Sequence, residues 1–179
     1  MPGRWIEDRI AGHPVDLYEP EMPHPHGFTL IYLHGVHLTR LTGNPIYTGL
    51  FEQHGLRVAA PLTQRSWWTD RICEEFDPQV SAERHLLDQV MPELEKRWRA
   101  APPQVGLWGT SMGGQGALRF AFKHPNRFPV VAAISPAIDY QAKIEEGDET
   151  LWAMYGGDRE RARQDTATLH VHPRKRAGH

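Results

Sequence analysis

The sequence has little of three things: cysteine, long apolar runs and net charge. Cys73 is the only cysteine among 179 residues, so no disulfide can form within the chain, which fits a reducing compartment. The longest apolar runs, such as 30–33 and 130–134, are far too short to span a bilayer. The N-terminal residues MPGRWIEDRI include acids and lack the apolar stretch of a signal peptide. We therefore expect a soluble, cytoplasmic protein that does not engage a membrane.

The charge balance and the missing motifs exclude several kinds of ligand. With a formal net charge of −2, the chain offers no general electrostatic attraction to nucleic acid. Neither G-x-x-x-x-G-K-S/T nor G-x-G-x-x-G is present, so no nucleotide-binding loop is predicted. No cysteine or carboxylate frames the histidine pairs at 24/26 and 170/172 at the spacing of a zinc site. We expect no metal, no cofactor and no nucleic-acid partner.

Short apolar runs alternate with segments of helical periodicity along most of the chain. In the segment 79–99, apolar residues at helical spacing form one stripe, and Pro92 within it predicts a kink. Such alternation predicts a mostly parallel sheet flanked by helices, with function at the carboxyl ends of the strands. The predicted strands are 4–10, 13–18, 28–34, 56–62, 103–109 and 130–136, and the predicted helices are 44–55, 79–99 and 112–124.

The motif Gly109-Thr110-Ser111-Met112-Gly113 has the pattern G-x-S-x-G and lies where an apolar strand gives way to a helix. In that context the serine sits on a sharp turn with its hydroxyl exposed above the sheet. The turn brings neighbouring backbone close, so Gly109 and Gly113 must be small. This favours Ser111 as a nucleophile. The alternative is a glycine-rich helix start that only packs, or that binds a phosphate.

A second segment supports that interpretation. The residues YLHGVH end the predicted strand 28–34, at the same edge of the sheet as the serine. An acyl-transfer enzyme needs two N–H groups aimed at the developing oxyanion. Met112 would supply one, Val36 the other, and Gly35 would let the backbone turn to present it. The alternative is a strand-ending turn that carries a surface histidine.

The order of these motifs resembles the α/β-hydrolase fold. Within it, "YLHG", "GTSMGGQGA" and "HPNRFPVVAAISP" are similar to the esterase D-like group of esterases, over about residues 13–140. The resemblance implies a serine hydrolase that cleaves a carboxylic ester or thioester through an acyl-serine intermediate. It assigns the nucleophile to Ser111 and the oxyanion donors to Met112 and Val36.

The resemblance ends before the family's other catalytic residues. In this fold the triad follows the order serine, acid, histidine, but only 43 residues follow Pro136. A βαβ unit alone takes about 30 residues. We therefore expect an incomplete core over residues 1–139, with the last strands missing. Residues 140–179 are expected to form a polar segment without a clear core, in which 167–171 is the best strand candidate.

Three residues offer a different completion of the triad. Asp139 follows the strand at 130–136, and His170 or His172 would then be the base. Otherwise Asp139 is a surface turn acid and both histidines are solvated. Without a base, the chain is a non-catalytic module that binds a ligand or partner.

Two further expectations concern the loop 63–78 and the end of the sheet. Trp67 and Trp68 either line a substrate pocket or anchor their loop on the core. The apolar strand 130–134 should leave an exposed sheet edge, through which the chain would form a homo-oligomer.

Overall fold

Six strands form one sheet in the residues that the computed structural model describes, 3–171. The strands are β1 (Arg4–Ile10), β2 (His13–Glu19), β3 (Thr29–Leu33), β4 (Arg57–Pro61), β5 (Val105–Thr110) and β6 (Val130–Ile134). Their order across the sheet is β1-β2-β4-β3-β5-β6. The first two strands form an antiparallel hairpin that pairs with β4, and β4, β3, β5 and β6 run parallel. The predicted α/β architecture and all six predicted strands are confirmed.

Helices cover the sheet and follow its last strand. They are α1 (Pro45–Gln53), α2 (Ala82–Arg84), α3 (Met91–Trp98), α4 (Met112–Lys123), α5 (Tyr140–Glu145), α6 (Glu149–Met154) and α7 (Arg159–Gln164). As predicted, α1 begins after Asn44, whose side chain accepts the N–H groups of Ile46 and Tyr47 at 3.1 and 3.2 Å. The order of strands and helices is that of a doubly covered parallel sheet.

The predicted helix 79–99 contains a wide turn rather than a simple kink. A π-helical stretch, His85–Val90, joins α2 to α3, and Pro92 lies in the first turn of α3. Proline is tolerated there because a first-turn N–H has no partner within its own helix. The irregularity that Pro92 predicts is therefore present, but as a π turn just before it.

The segment after β6 differs most from its prediction. Residues 140–170 form α5, α6, α7 and a 3-10 turn, Ala167–His170, so the strand candidate at 167–171 is wrong. The expectation of no clear core is also wrong for the described part of this segment. Six of its side chains are buried in the main core cluster: Tyr140, Ile144, Leu151, Tyr155, Ala162 and Ala167.

Short helices explain why sequence reasoning missed this packing. Asp139, Asp148 and Asp158 each cap the helix that follows, accepting a backbone N–H with the side chain. Each helix contributes only one or two apolar residues to the core, so no long apolar run marks the segment. No strand follows β6 within residues 3–171, and β6 therefore forms one edge of the described sheet.

Candidate active site

Ser111 occupies a strained turn between β5 and α4. Its φ of 54° and ψ of −116° lie in a region that residues other than glycine rarely adopt. Three backbone hydrogen bonds hold this conformation. The Ser111 N–H donates to Ile134 O at 2.9 Å, and Ser111 O accepts the N–H groups of Gln115 and Ala137 at 3.0 and 3.1 Å. The strain is thus fixed by the strand and helix on either side.

The motif glycines are required by close backbone packing at this turn. A Cβ on Gly109 would lie 2.0 Å from Gly113 O, and a Cβ on Gly113 would lie 1.8 Å from Leu33 O. No side chain fits either position. Gly116, one turn along α4, similarly approaches Trp68, with 2.5 Å between its notional Cβ and the Trp68 Cβ. The steric expectation for Gly109 and Gly113 therefore has a direct structural reason.

We expect Gly113→Ala to destabilise the fold by about 2–3 kcal/mol, because the added methyl must displace the backbone of β3. The matched control is Gly49→Ala in α1, where a Cβ would meet nothing within 4 Å. Removing a glycine from a helix interior should stabilise the chain by about 0.5–1 kcal/mol. Urea unfolding of both variants measures the difference, and equal midpoints would contradict the packing argument.

The Ser111 side chain is not used to cap α4. A serine at this position normally accepts an N–H of the first helical turn, but Ser111 makes no side-chain cap hydrogen bond. Nor does any described residue of the range 3–171 hydrogen-bond to Oγ. The partly buried hydroxyl lies at the N-terminus of a 12-residue helix, whose dipole favours negative charge.

The loop after β3 lies directly against Ser111. A Cβ on Gly35 would be 3.4 Å from the Ser111 Cβ and 3.2 Å from Thr110 O, so the two turns lie close together and a side chain at Gly35 would be crowded by the Thr110 carbonyl. Val36, the next residue, is partly buried and packs on the main core cluster. The structure therefore brings the predicted oxyanion loop and Ser111 together.

His34 fixes this loop and was not singled out by sequence reasoning. It is 1% exposed, its Nδ1 lies 2.9 Å from Gly35 O, and its Nε2 lies 3.0 Å from the Thr63 N–H that donates to it. Burial lowers the pKa of His34, partly offset by the bond to Gly35 O. The ring is therefore neutral, with Nδ1 as donor and Nε2 as acceptor. The sequence feature that could have indicated this role is the position of His34 in "YLHG", between the strand and Gly35.

Trp67 and Trp68 anchor their loop on the core, the second of the two alternatives. They are 2% and 0% exposed, and both have positive φ. The Trp68 Nε1–H donates to His34 O at 3.1 Å, while Trp67 O accepts the Tyr140 hydroxyl at 3.1 Å. The pair thus connects the loop before Ser111 with α5 after it.

Of the residues proposed as acid and base, the two that the structure describes are not joined to Ser111. The Asp139 carboxylate accepts the Ala142 N–H at 3.0 Å as the cap of α5. His170 Nε2 lies 3.4 Å from an Asp165 oxygen, at the end of the 3-10 turn. His172 lies outside the described residues. Within 3–171, the structure places neither Asp139 nor His170 in a hydrogen-bonded chain that reaches Ser111.

A buried ion cluster that sequence reasoning missed connects α4 with the last helices. Arg119, 1% exposed, donates to a Glu83 carboxylate oxygen and, from Nε and Nη2, to Asp165 Oδ1 at 2.9 and 2.6 Å. Lys123 donates to both Glu83 oxygens at 2.6 and 2.9 Å, and the Tyr155 hydroxyl donates to Asp165 Oδ2 at 2.6 Å. The sequence feature that could have indicated this cluster is the arginine inside the otherwise apolar run GALRFAF.

Within the part of the chain that the structure describes, the histidine pair His24 and His26 and the helices show neither a metal site nor a membrane span. His24 and His26 stack at 4.1 Å and accept backbone N–H groups of their own loop. Among residues 3–171, no group of three or more His, Cys, Asp or Glu side chains is arranged to hold a metal ion. In that same range, no helix has the length and apolar character needed to cross a membrane.

The strand order and the serine turn after β5 define the α/β-hydrolase fold. The model of the Putative esterase family matches residues 29–177, and the chain therefore belongs to that family of esterases. No curated protein matches the chain.

Solved structures agree with this fold. FphF, a fluorophosphonate-binding serine hydrolase of Staphylococcus aureus, has a TM-score of 0.76 at 18% identity, over 96% of this chain and 73% of its own. An S-formylglutathione hydrolase of Agrobacterium tumefaciens has a TM-score of 0.63 at 19% identity, over 87% of this chain and 68% of its own. FrmB, an S-formylglutathione hydrolase of S. aureus, has a TM-score of 0.63 at 16% identity, over 94% of this chain and 75% of its own. At these identities the likeness shows the fold alone.

Proposed function

We propose that the chain is a serine esterase-type hydrolase that cleaves a carboxylic ester or thioester through an acyl-serine intermediate. The observation that carries this proposal is the strained, uncapped Ser111 at the start of α4, with its flanking glycines packed against backbone. Membership of a family of esterases supports it. Two of the similar structures are named S-formylglutathione hydrolases, and an S-formyl group is a thioester, which favours including thioesters.

In the proposed reaction, Ser111 Oγ attacks the carbonyl carbon of the substrate and gives its proton to a base. The carbonyl oxygen gains the negative charge, which the N–H groups of Met112 and Val36 stabilise. The tetrahedral intermediate then expels the alcohol or thiol, which takes up the proton and leaves an acyl-serine. Water hydrolyses that ester, releasing the acid and restoring the hydroxyl.

His34 has a positioning role in this scheme. Its two ring nitrogens are occupied by Gly35 O and the Thr63 N–H, so it has no free lone pair for the serine proton. Its ring and its carbonyl hold the loop that carries Val36. The base must therefore be another group.

The second candidate is a non-catalytic module that binds a ligand or partner. Two observations favour it: no described imidazole of the range 3–171 bonds to Ser111, and a large cavity lies elsewhere. That cavity, of about 810 Å³, lies between the loop 65–75 and α6. Its volume is in the usual range for small-molecule sites.

Labelling with a fluorophosphonate probe discriminates the two candidates, because the reaction requires an activated serine. The hydrolase is expected to be labelled, and Ser111→Ala to abolish both labelling and turnover of short p-nitrophenyl esters while circular dichroism stays unchanged. Ser66→Ala, at a fully buried serine outside the motif, is the control and should retain labelling. Equal labelling of Ser111→Ala and the parent chain would overturn the assignment of the nucleophile.

A further inference from the structure

A small cleft, which we call the basic cleft, lies beside the second half of α4. It has a volume of about 340 Å³ and is formed by the loop after β4, by α4, and by α7 with the residue that follows it. None of its lining residues within 3–171 belongs to the Ser111 site. The cationic side chains that line it are Arg71, Arg119, Lys123 and Arg161, and the anionic ones are Asp70 and Asp165.

The two acids of the basic cleft already have partners. Asp165 accepts hydrogen bonds from Arg119 and, at 2.6 Å, from the Tyr155 hydroxyl. Asp70 pairs with a cation outside the cleft, since its Oδ1 lies 3.4 Å from the Nε of Arg84. These carboxylates therefore neutralise only part of the positive charge that lines the cleft.

Arg71 is held in place while its hydrogen-bond donors stay unoccupied. Its guanidinium carbon lies over the buried Tyr155 ring, 5.3 Å from the ring centroid. The five N–H donors of a guanidinium point outward in its plane, so a ring against its face does not occupy them. Within residues 3–171 no acceptor hydrogen-bonds to the Arg71 guanidinium. Arg71 therefore presents a positioned fork of donors, of the kind that binds an oxyanion through two oxygens.

Arg161 supplies a second guanidinium from a different element, α7. Its Nε lies 3.6 Å from an Asp158 oxygen, which is too far for a hydrogen bond, and its side chain is 65% exposed. In the described range no other group accepts a hydrogen bond from this guanidinium. Two arginines from separate parts of the chain thus line one cleft with donors to spare.

The other two cations are fixed by the buried ion cluster but are not saturated by it. Arg119 Nη2 carries two N–H groups, and among residues 3–171 its one acceptor is Asp165 Oδ1 at 2.6 Å. Lys123 Nζ carries three, and in the same range it donates only to the two Glu83 oxygens. Even with Glu83 included, the side chains of the cleft keep a net positive charge. Because Arg119 is 1% exposed, water screens its charge poorly, which strengthens its attraction to an anion.

We propose that the basic cleft binds the phosphate group of a small soluble molecule. A tetrahedral phosphate presents strong acceptor oxygens in several directions, so it can bind Arg71 of the loop and Arg161 of α7 together. A carboxylate has two oxygens in one plane and would leave one of these guanidinium groups without an acceptor. The volume of about 340 Å³ lies at the lower end of the range for small-molecule sites and leaves room for an organic group beside the phosphate.

Isothermal titration calorimetry with glycerol 3-phosphate tests the site. We expect saturable binding to one site per chain, and Arg71→Met should weaken it at least about tenfold with an unchanged circular dichroism spectrum. Arg159→Met is the matched control, because its guanidinium carbon also lies over a ring, 5.7 Å from the Trp152 centroid, but outside the cleft. This variant should bind like the parent. No saturable binding to the parent, or equal weakening in both variants, would overturn the proposal.

Thermal unfolding separates a specific site from general screening of charge. A ligand that binds the native chain raises its Tm, so glycerol 3-phosphate should raise the Tm more than sodium chloride at equal ionic strength. Arg71→Met and Arg161→Met should each reduce this difference. Equal Tm values in the two salts would show that the cations serve only the ion cluster. Vesicles that contain phosphatidic acid should not bind the chain, and binding to them without binding to glycerol 3-phosphate would contradict a soluble ligand.

Discussion

Replacing Arg119 by methionine is expected to lower the free energy of unfolding by about 3–5 kcal/mol. Arg119 is 1% exposed, and its guanidinium is bound by Glu83 and Asp165, which are themselves largely shielded from water. Methionine fills a similar volume, so the main change is that Asp165 loses the cation bound to it, while Glu83 keeps only Lys123. Urea unfolding of the parent and the variant measures the loss. We expect a loss this large because a buried charge is left without a partner, not because the ion pair itself is strong.

A matched variant separates this effect from a simple change of charge. Arg163→Met removes an arginine that also pairs with a carboxylate, Glu160 at 2.7 Å, but both side chains are about half exposed. Water screens such a pair, and we expect little change in stability. Combining Arg119→Met with Glu83→Gln and Asp165→Asn should recover part of the loss, because the two buried carboxylates are then neutral. Equal unfolding midpoints for Arg119→Met and Arg163→Met would contradict this account.

The same cluster makes the folded chain less stable at acidic pH. Burial alone would raise the pKa of Glu83 and of Asp165, but the charge of Arg119, with Lys123 and Tyr155 as further donors, lowers both. The two carboxylates contribute fully to stability above their unfolded pKa values, about 4. This contribution is lost as the pH falls through their folded pKa values. His34 acts in the same direction, because it is held neutral when folded but takes up a proton below about pH 6.5 when unfolded.

Sequence reasoning predicted the strands and the serine turn because their signals are local. Each buried strand is a short apolar run ended by glycine or proline, and Ser111 stands between glycines that the packing of β3 requires. The carboxyl ends of parallel strands meet at one edge, so the chain order alone brought Gly35 beside Ser111. Periodicity and motif spacing contain that information without any knowledge of distant contacts.

The parts that were missed depend on contacts between residues far apart in the chain. In the sequence Arg119 is an isolated arginine, because its partners Glu83 and Asp165 come from two other parts of the chain. The core residues of α5, α6 and α7 are separated by polar residues and capping aspartates, so each helix alone has too little apolar surface to be noticed. The roles of Trp67 and Trp68 were left open for the same reason, since the residues that bury them, among them His34, Gly116 and Tyr140, lie far along the chain.

The second large effect concerns catalysis, and we expect the 179-residue chain to turn over short esters orders of magnitude more slowly than FphF. Among residues 3–171 no side chain hydrogen-bonds to Ser111 Oγ, so within that range no base is in place to take its proton. The proposed oxyanion donors and substrate binding would remain, and in a mature serine hydrolase such contributions alone give roughly 10³–10⁴-fold over water. Steady-state hydrolysis of p-nitrophenyl acetate by the two proteins, at equal concentration, measures the ratio.

Variants of the candidate base and acid make the expectation specific. If Ser111 works without a base of its own, His170→Ala, His172→Ala and Asp139→Asn should each leave the residual rate unchanged, while Ser111→Ala removes it. Added imidazole should then raise the rate of the parent chain above that of Ser111→Ala, since a free imidazole can accept the serine proton. A rate equal to that of FphF, or a rate lost on replacing one histidine, would show that this chain supplies its own base. If that histidine were His170, its Nε2, which lies 3.4 Å from an Asp165 oxygen, would have to exchange Asp165 for the serine.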